Sequence, residues 1–229
     1  MLSRNRPVAV LARVEARTSA GSRAPLRVVP RAGDPHPEDE ALADALVAGE
    51  AWAATALWNK HSPMVYRFLQ RALGLKADVE DLTQDVFIGV FANVRSLRNR
   101  EALRSFVLSV AIRKLRSELR LRRLRSVFQL TRFDQLPERA VPPLDAESRQ
   151  ALRRFYAILD RLSARQRSAF VLRHMEGLKL EEVAEALEVS LATAKRRLQR
   201  ASAFVSRHVD RDPLLAPYAV PTSGGRHGS

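Results

Sequence analysis

Residues 162–201 carry the pattern that most restricts the fold of this 229-residue chain. Ser163 and Gln166, three residues apart, predict a capping box at the start of a helix. Two short apolar stretches with helical spacing then flank a tight turn at residues 188–190, and Ser190 can cap the second of them. Two short helices around such a turn predict a helix-turn-helix.

The helix that follows Ser190 has two distinct faces. Its outer face is basic, and in a recognition helix Arg or Lys can read guanine edges while Thr can contact a thymine methyl group. A solvated basic face on an ordinary helical hairpin is the alternative. The combination of turn, cap and charge favours DNA binding by Ser190, Thr193, Lys195, Arg196, Arg197 and Arg200. The inner face is predicted to be Leu191, Ala194, Leu198 and Ala201.

The charge balance agrees with an anionic partner. The formal net charge is +14, which favours nucleic acid over a membrane surface, although an arginine-rich soluble protein could have the same composition. The chain has no cysteine, which excludes a disulfide framework, Cys-ligated zinc and thiol catalysis. No apolar run approaches the about 18–20 residues of a membrane span. We therefore expect a cytoplasmic protein without membrane insertion and without a cofactor.

The apolar spacing predicts an all-α fold with two small helical domains. Residues 38–133 and 148–208 are the two helical blocks, and residues 134–147 form a Pro-containing linker. Residues 1–37 are basic and rich in proline, so we expect either a disordered extension or a start codon assigned too early. Residues 209–229 are expected to be a mobile tail.

A helix predicted over residues 78–91 combines an apolar face with an acidic edge. The predicted core positions are Leu82, Val86 and Phe87, and the edge is Asp81, Gln84 and Asp85. In a strongly basic protein such an edge favours a protein contact. A solvated helix face, stabilised by the dipole of the helix N-terminus, is the alternative.

The next predicted helix starts near Arg100 and carries a cluster of positive charge. Such a cluster can follow a phosphate backbone, and an aromatic side chain can add a stacking face for single-stranded DNA. Phe106 is the aromatic candidate, with a core position as the alternative. The basic residues are Arg113, Lys114, Arg116, Arg120, Arg122 and Arg123.

The order of these motifs resembles the extracytoplasmic-function group of the sigma-70 family of bacterial RNA polymerase sigma factors. The resemblance rests on EDLTQDVF, on LRSFVLSVAIRKLRSELRLRRLR, and on the LSARQRSAFVLRHMEGL to SLATAKRRLQRA block. It covers about residues 41–125 and 148–205. It implies a region 2 domain in residues 38–133 and a region 4 domain in residues 148–208.

The resemblance also implies partners and roles. Sigma factors of this group bind the β′ clamp helices of core RNA polymerase with a surface whose positions correspond to Asp81, Gln84, Asp85 and Phe87. They also contact the β subunit of the polymerase. The basic helix would melt and read the minus-ten promoter element, and the helix-turn-helix would bind the minus-thirty-five element. An anti-sigma factor wedged between the domains is a possible further partner.

Three positions depart from the family pattern. Phe106 stands where Trp is usual. Arg113 stands where the family usually has an Asn that helps to form the pocket for an unstacked base, so the family's base preference at the minus-ten element does not carry over to this chain. Lys179 replaces the Ser or Thr that usually caps the first helix of the motif, which predicts a cap weaker by about 1 kcal/mol.

Two other functional classes are alternatives to a sigma factor. An enzyme is not expected, because the chain has no P-loop, GxSxG or GxGxxG motif and no His-x-x-x-His pair. A helix-turn-helix regulator that acts on duplex DNA without polymerase is the nearer alternative. Binding of core polymerase through the acidic helix would distinguish a sigma factor from that regulator.

Overall fold

The structure is a computed structural model that describes residues 37–74, 79–97, 99–128 and 146–216. Within these residues it is helical and contains no strand, which confirms the predicted all-α fold. The helices are α1 (Pro37–Ala48), α2 (Ala51–Leu73), α3 (Glu80–Asn93), α4 (Leu103–Phe128), α5 (Ala146–Asp160), α6 (Ala164–Phe170), α7 (Leu180–Ala186) and α8 (Leu191–Val209).

Short helical turns connect some of these elements. Two 3-10 turns, Val94–Ser96 and Arg100–Ala102, lie between α3 and α4, and a π-helical turn, Val171–Met175, continues α6. The predicted N-terminal extension up to residue 36, the linker at residues 134–145 and the tail from residue 217 lie outside the described residues.

The first core forms among helices α1 to α4. Val86 and Phe87 of α3 are buried there, as their helical spacing predicts, beside Leu57 and Phe68 of α2 and Leu115 of α4. The burial of these large apolar side chains provides the main stabilisation of the N-terminal block. It also fixes the angular position of α3 and α4, and therefore which of their faces point outward.

A second core joins the two ends of the C-terminal block. Phe155 and Leu159 of α5 are buried with Phe170 of α6 and Val205 of α8. Leu215 belongs to the same cluster and is buried as well. The packed block therefore extends beyond residue 208, and the predicted start of the mobile tail at residue 209 is wrong for the residues up to 216.

The two blocks pack directly against each other. Val171 and Leu172 of the π turn and Val183 of α7 belong to the same buried cluster as the core of the N-terminal block. Contacts join α4 to α6 and α7, and α2 to the π turn. The sequence predicted two helical blocks, but the spacing of apolar residues gave no sign of this contact between them.

The local signals of the helix-turn-helix are present as predicted. The Ser163 hydroxyl accepts a hydrogen bond from the backbone N–H of Gln166, and the Gln166 side chain accepts one from the backbone N–H of Ser163, which completes the capping box. Ser190 accepts a hydrogen bond from the backbone N–H of Thr193 at 3.3 Å. Gly177 ends the preceding helical turn with φ of 75°.

The structure of the motif differs from the sequence-based expectation at Leu191 and adds a detail at Lys179. Leu191, expected on the inner face of α8, is 45% exposed, because it is the first helical residue and lies before the packed turns. Ala194 and Ala201 are buried as predicted. At Lys179 the Glu182 carboxylate accepts the backbone N–H at 2.6 Å, so one donor at this helix start is satisfied without a Ser or Thr cap.

Candidate functional site

The acidic edge of α3 faces solvent. Asp81, Gln84 and Asp85 are exposed, which places all three on an accessible surface of the N-terminal block. Phe87 is only 1% exposed and lies in the core, so its proposed direct contact with a partner does not fit this structure. Its physical role is to hold α3 against the core, because a fully buried phenyl ring fixes the rotation of the helix.

Apolar side chains lie beside this acidic edge, and the sequence analysis did not identify them as a surface. Ile88 is 64% exposed and follows Gln84 by four residues, so it lies on the same helix face. The half-exposed ring of Trp58 lies 4.8 Å from that of Phe87. An acidic edge flanked by exposed apolar side chains is typical of a protein-binding surface.

Part of the basic cluster on α4 pairs with residues of its own block. Lys114 forms an ion pair with Asp85 at 3.4 Å, which joins the basic helix to the acidic edge of α3. Arg122 pairs with Glu118 at 2.8 Å and donates to the carbonyl oxygen of Leu73 at 3.3 Å. Both ion pairs are partly exposed, so they contribute little stability and remain available for exchange with phosphate.

Other members of the cluster bind the C-terminal block. Arg113 forms an ion pair with Glu188 in the turn of the helix-turn-helix, with an N–O distance of 2.7 Å. Arg123 donates to the carbonyl oxygen of Leu162 at 2.8 Å. Two residues expected to bind promoter DNA are therefore engaged with the other domain in this structure.

Arg116 and Arg120 complete the basic face of α4. No hydrogen bond or ion pair joins either of them to another side chain in the described ranges. Arg116 also influences a residue of α8. Partial burial lowers the pKa of Arg197, and the positive charges of Arg165, Arg116 and Arg196 lower it further. The positive charge of Arg116 on α4 thus acts on Arg197 of α8.

The predicted reading residues of α8 are accessible. Lys195, Arg196 and Arg200 are exposed, and Thr193 and Arg197 are half-buried. The cap at Ser190 fixes the first turn of this helix, which is the part that enters the major groove in a helix-turn-helix. The structure therefore presents a rigid helix start with basic side chains around it.

Phe106 has an intermediate position. It is half-buried and packs against the first core, so the structure favours the core alternative over a free stacking platform.

No group of three or more His, Asp or Glu side chains that could hold a metal ion is found among the described residues. In the same part of the chain, every helix is too short or too polar to cross a membrane.

Comparison with known families covers both blocks. Residues 57–125 match the family described as Sigma-70 region 2, and residues 152–205 match the family described as Sigma-70, region 4. The two matches take up more than half of the chain and stand in the order that the sequence motifs predicted.

Relatives with assigned names agree with these matches. The chain is 31% identical to the ECF RNA polymerase sigma factor SigE of Mycolicibacterium smegmatis over 72% of this chain and 66% of that protein. It is 27% identical to the ECF RNA polymerase sigma factor SigX of Bacillus subtilis, covering 69% of this chain and 86% of that protein. It is 29% identical to the ferric citrate uptake sigma factor FecI of Escherichia coli, covering 64% and 84% respectively.

Solved structures share the fold. CnrH, solved in complex with the cytosolic domain of CnrY, has a TM-score of 0.55 at 22% identity and covers 76% of this chain and 98% of that one. The sigma factor RpoE from Bartonella quintana, solved in complex with the anti-sigma factor NepR, has a TM-score of 0.52 at 23% identity and covers 69% and 97%.

Proposed function

This chain belongs to the extracytoplasmic-function group of the sigma-70 family and is a factor for promoter-directed transcription initiation, and we propose that α3 binds core RNA polymerase while α4 and α8 bind promoter DNA. The observation that carries this assignment is the presence of regions 2 and 4 in order on one chain, each with its predicted surface accessible. Sigma factors as a class are not enzymes, and we assign no catalytic residue.

The proposed polymerase surface is the exposed face of α3. Asp81, Gln84 and Asp85 supply charge and hydrogen-bonding groups, and Ile88 supplies an apolar centre beside them. Phe87 supports this face from the core. The expected counterpart is a basic and apolar helical surface, which fits the β′ clamp helices implied by the family; a contact with the β subunit stays part of the proposal.

The proposed upstream DNA surface is the N-terminal half of α8. Thr193, Lys195, Arg196, Arg197 and Arg200 would contact base edges and phosphates of the minus-thirty-five element, with Ser190 holding the helix start. The half-buried position of Arg197 restricts its side chain more than the exposed positions of Lys195 and Arg196. We therefore assign base reading to Arg197 and phosphate contacts to the other two.

The proposed minus-ten surface is the basic face of α4. Arg116 and Arg120 can contact phosphates directly, whereas Arg113 and Arg123 must first leave their partners in the C-terminal block. Because Arg113 replaces the usual Asn, it offers a charged guanidinium group in place of a neutral amide. We expect a downstream base preference shifted toward guanine, since guanidinium groups bind its O6 and N7 atoms.

The two DNA surfaces are joined by one chain, so the binding of one raises the effective concentration of the other. We propose that the protein acts in the cytoplasm, where polymerase and DNA are found. An anti-sigma partner also belongs to the proposal, because the sigma factor RpoE from Bartonella quintana was solved in complex with the anti-sigma factor NepR. A partner wedged between the domains would have to displace the contact of α7 with α4.

Co-purification with bacterial core RNA polymerase tests the assignment against the alternative regulator. We expect a stoichiometric complex with core polymerase and weak binding of the free chain to duplex DNA. Absence of the complex, together with tight sequence-specific binding of duplex DNA by the chain alone, would replace the sigma factor assignment with that of a conventional helix-turn-helix regulator.

A further inference from the structure

One exposed side of α3 changes from acidic to apolar along the helix. Asp81, Asp85 and Ile88 follow one another at spacings of four and three residues, so they lie on the same side of α3. Phe91, three residues after Ile88, extends this side and is 39% exposed. These four residues, together with Trp58 of α2, are named the α3 face.

The apolar half of the α3 face is built on the first core. The ring of Phe87 lies 4.8 Å from that of Trp58 and 6.3 Å from that of Phe91, so one buried ring supports two partly exposed ones. Trp58 is 37% exposed and Ile88 is 64% exposed. Large apolar side chains that share an exposed surface favour a partner that covers them.

The acidic half of the α3 face retains negative charge. Within the described ranges no cation pairs with Asp81, and the pair of Asp85 with Lys114, at 3.4 Å, is partly exposed. Glu182 of α7, by contrast, is paired with Arg104 of α4. The α3 face is therefore an acidic surface that can accept an additional cation.

The sequence that precedes α1 has the complementary pattern. Residues 4–17 contain four Arg, one Glu and the apolar run of residues 7–12. Arg6 directly precedes this run and Arg13 directly follows it, so positive charge borders an apolar stretch on both sides. Opposite charge and shared apolar character favour the pairing of this segment with the α3 face over contact with a basic surface.

The helix to which this segment is joined begins close to the α3 face. Asp39 lies in the first turn of α1, and its carboxylate pairs with the ammonium group of Lys60 at 2.7 Å. Lys60 follows Trp58 by two residues on α2, so α1 starts beside the helix that carries one aromatic ring of the face. Nineteen residues can span up to about 60 Å, so the length of residues 18–36 does not limit the approach.

We propose that residues 4–17 dock on the α3 face of the free chain and compete there with core polymerase. The competition, unlike the docking, rests on the proposed function of α3. Tethering gives an effective concentration of about 1 mM, so a contact with a dissociation constant near this value is formed in about half of the molecules. The apparent affinity for polymerase then falls in proportion to the fraction of molecules whose α3 face is open.

The fluorescence of Trp58 reports docking without the need for polymerase. The chain has two tryptophans, so Trp52→Phe, at an exposed position, leaves Trp58 as the single one. In this background, Arg6→Gln, Arg13→Gln and Arg17→Gln together should raise the quenching of Trp58 by acrylamide by up to about twofold. Acrylamide is uncharged, so the altered charge of the chain does not itself attract or repel the quencher.

The matched control combines Arg23→Gln, Arg27→Gln and Arg31→Gln. It removes the same number of charges from the residues between the docking segment and α1, and it should leave the quenching of Trp58 unchanged. With Trp52 restored, the first triple variant should bind core polymerase about twofold or more tighter than the native chain. The control should bind polymerase like the native chain.

Three results would overturn the inference. The first is equal quenching of Trp58 in both triple variants, and the second is unchanged or weaker binding of polymerase by the first triple variant. The third is shielding of Trp58 that disappears on dilution, which would assign the α3 face to a second copy of the chain. Failure of the proposed function has a different signature, because the quenching would respond as expected while the native chain would not bind core polymerase.

Discussion

Arg197 on α8 lies within electrostatic reach of other guanidinium groups, including that of Arg116 on α4. Partial burial lowers its pKa, and the guanidinium groups of Arg165, Arg116 and Arg196 lower it further. Such crowding is relieved when a phosphate or a guanine edge approaches the cluster.

We predict that Arg197→Ala weakens binding of the minus-thirty-five element by about 1–3 kcal/mol, because a base-reading contact is lost. The measurement is the affinity of the polymerase complex for matched and mutated promoter fragments. Arg207→Ala, an equal charge change in the last turn of α8, is the control and should have little effect. An equal loss on every DNA sequence would instead assign Arg197 to a phosphate contact.

His174 links acid pH to the stability of the C-terminal block. Its Nε2 atom lies 2.8 Å from the Ser202 hydroxyl, and its ring packs 4.8 Å from that of Phe170. Burial and the positive charge of Arg173 lower the pKa of His174 from 6.5 to about 4. The folded state therefore favours the neutral ring, whereas the unfolded chain takes up a proton below about pH 6.5.

Stability should therefore be constant above about pH 6.5 and decrease as the pH falls toward 4, because the unfolded state binds more protons in this range. The slope corresponds to at most about 1.4 kcal/mol per pH unit for one histidine. His61, whose pKa burial also lowers to about 4, contributes in the same direction. Urea unfolding of His174→Gln should show a shallower acid decline than the native chain, and an unchanged slope would contradict this role.

At the scale of single elements, the sequence predicted best the features that depend on residues close together along the chain. The Ser163–Gln166 capping box and the Ser190 cap lie within one helical turn of their partners, so residue type and spacing were sufficient to predict them. Leu191 was misplaced because helical periodicity says nothing about where packing begins along a helix. Ile88 was missed because the sequence predicted only an apolar core face and an acidic edge for α3, and neither of them included Ile88.

We predict that reversing Asp81 and Asp85 to Lys abolishes binding of core polymerase, because both side chains are exposed on the proposed contact face of α3. Circular dichroism should show an unchanged helix content. The measurement is retention of the chain by immobilised core polymerase.

Glu40→Lys combined with Glu147→Lys is the matched control for this reversal. It makes the same change in net charge at exposed positions outside α3 and should bind polymerase normally. Equal binding by both double variants would remove α3 from the polymerase interface. Equal loss would mean that only the overall charge matters.

At the scale of the whole molecule, the contact between the blocks is the feature that sequence patterns could not supply. Arg113 and Glu188 are 75 residues apart, and each taken alone has the pattern of a solvated charged side chain. Val183 and Leu172 were predictable as apolar positions, but not as parts of a core shared with α2 and α4. A proline-bearing linker is compatible with separated and with closed blocks, so it did not decide between them.

The two proposed DNA surfaces belong to different parts of the fold. Each surface is built by its own block, with α4 packed on the first core and α8 on the second. Their separation would break the contacts of α4 with α7 and of Arg71 with Glu176, and it would expose the apolar side chains of the π turn and α7 that belong to the first core.

The central claim is that this chain directs core polymerase to particular promoters. Run-off transcription of a genomic fragment library by core polymerase, with and without the chain, tests it most directly. We predict new transcripts that start at a small set of sites and share one pair of upstream sequence elements. A transcript pattern identical to that of core polymerase alone, obtained with correctly folded protein, would contradict the account.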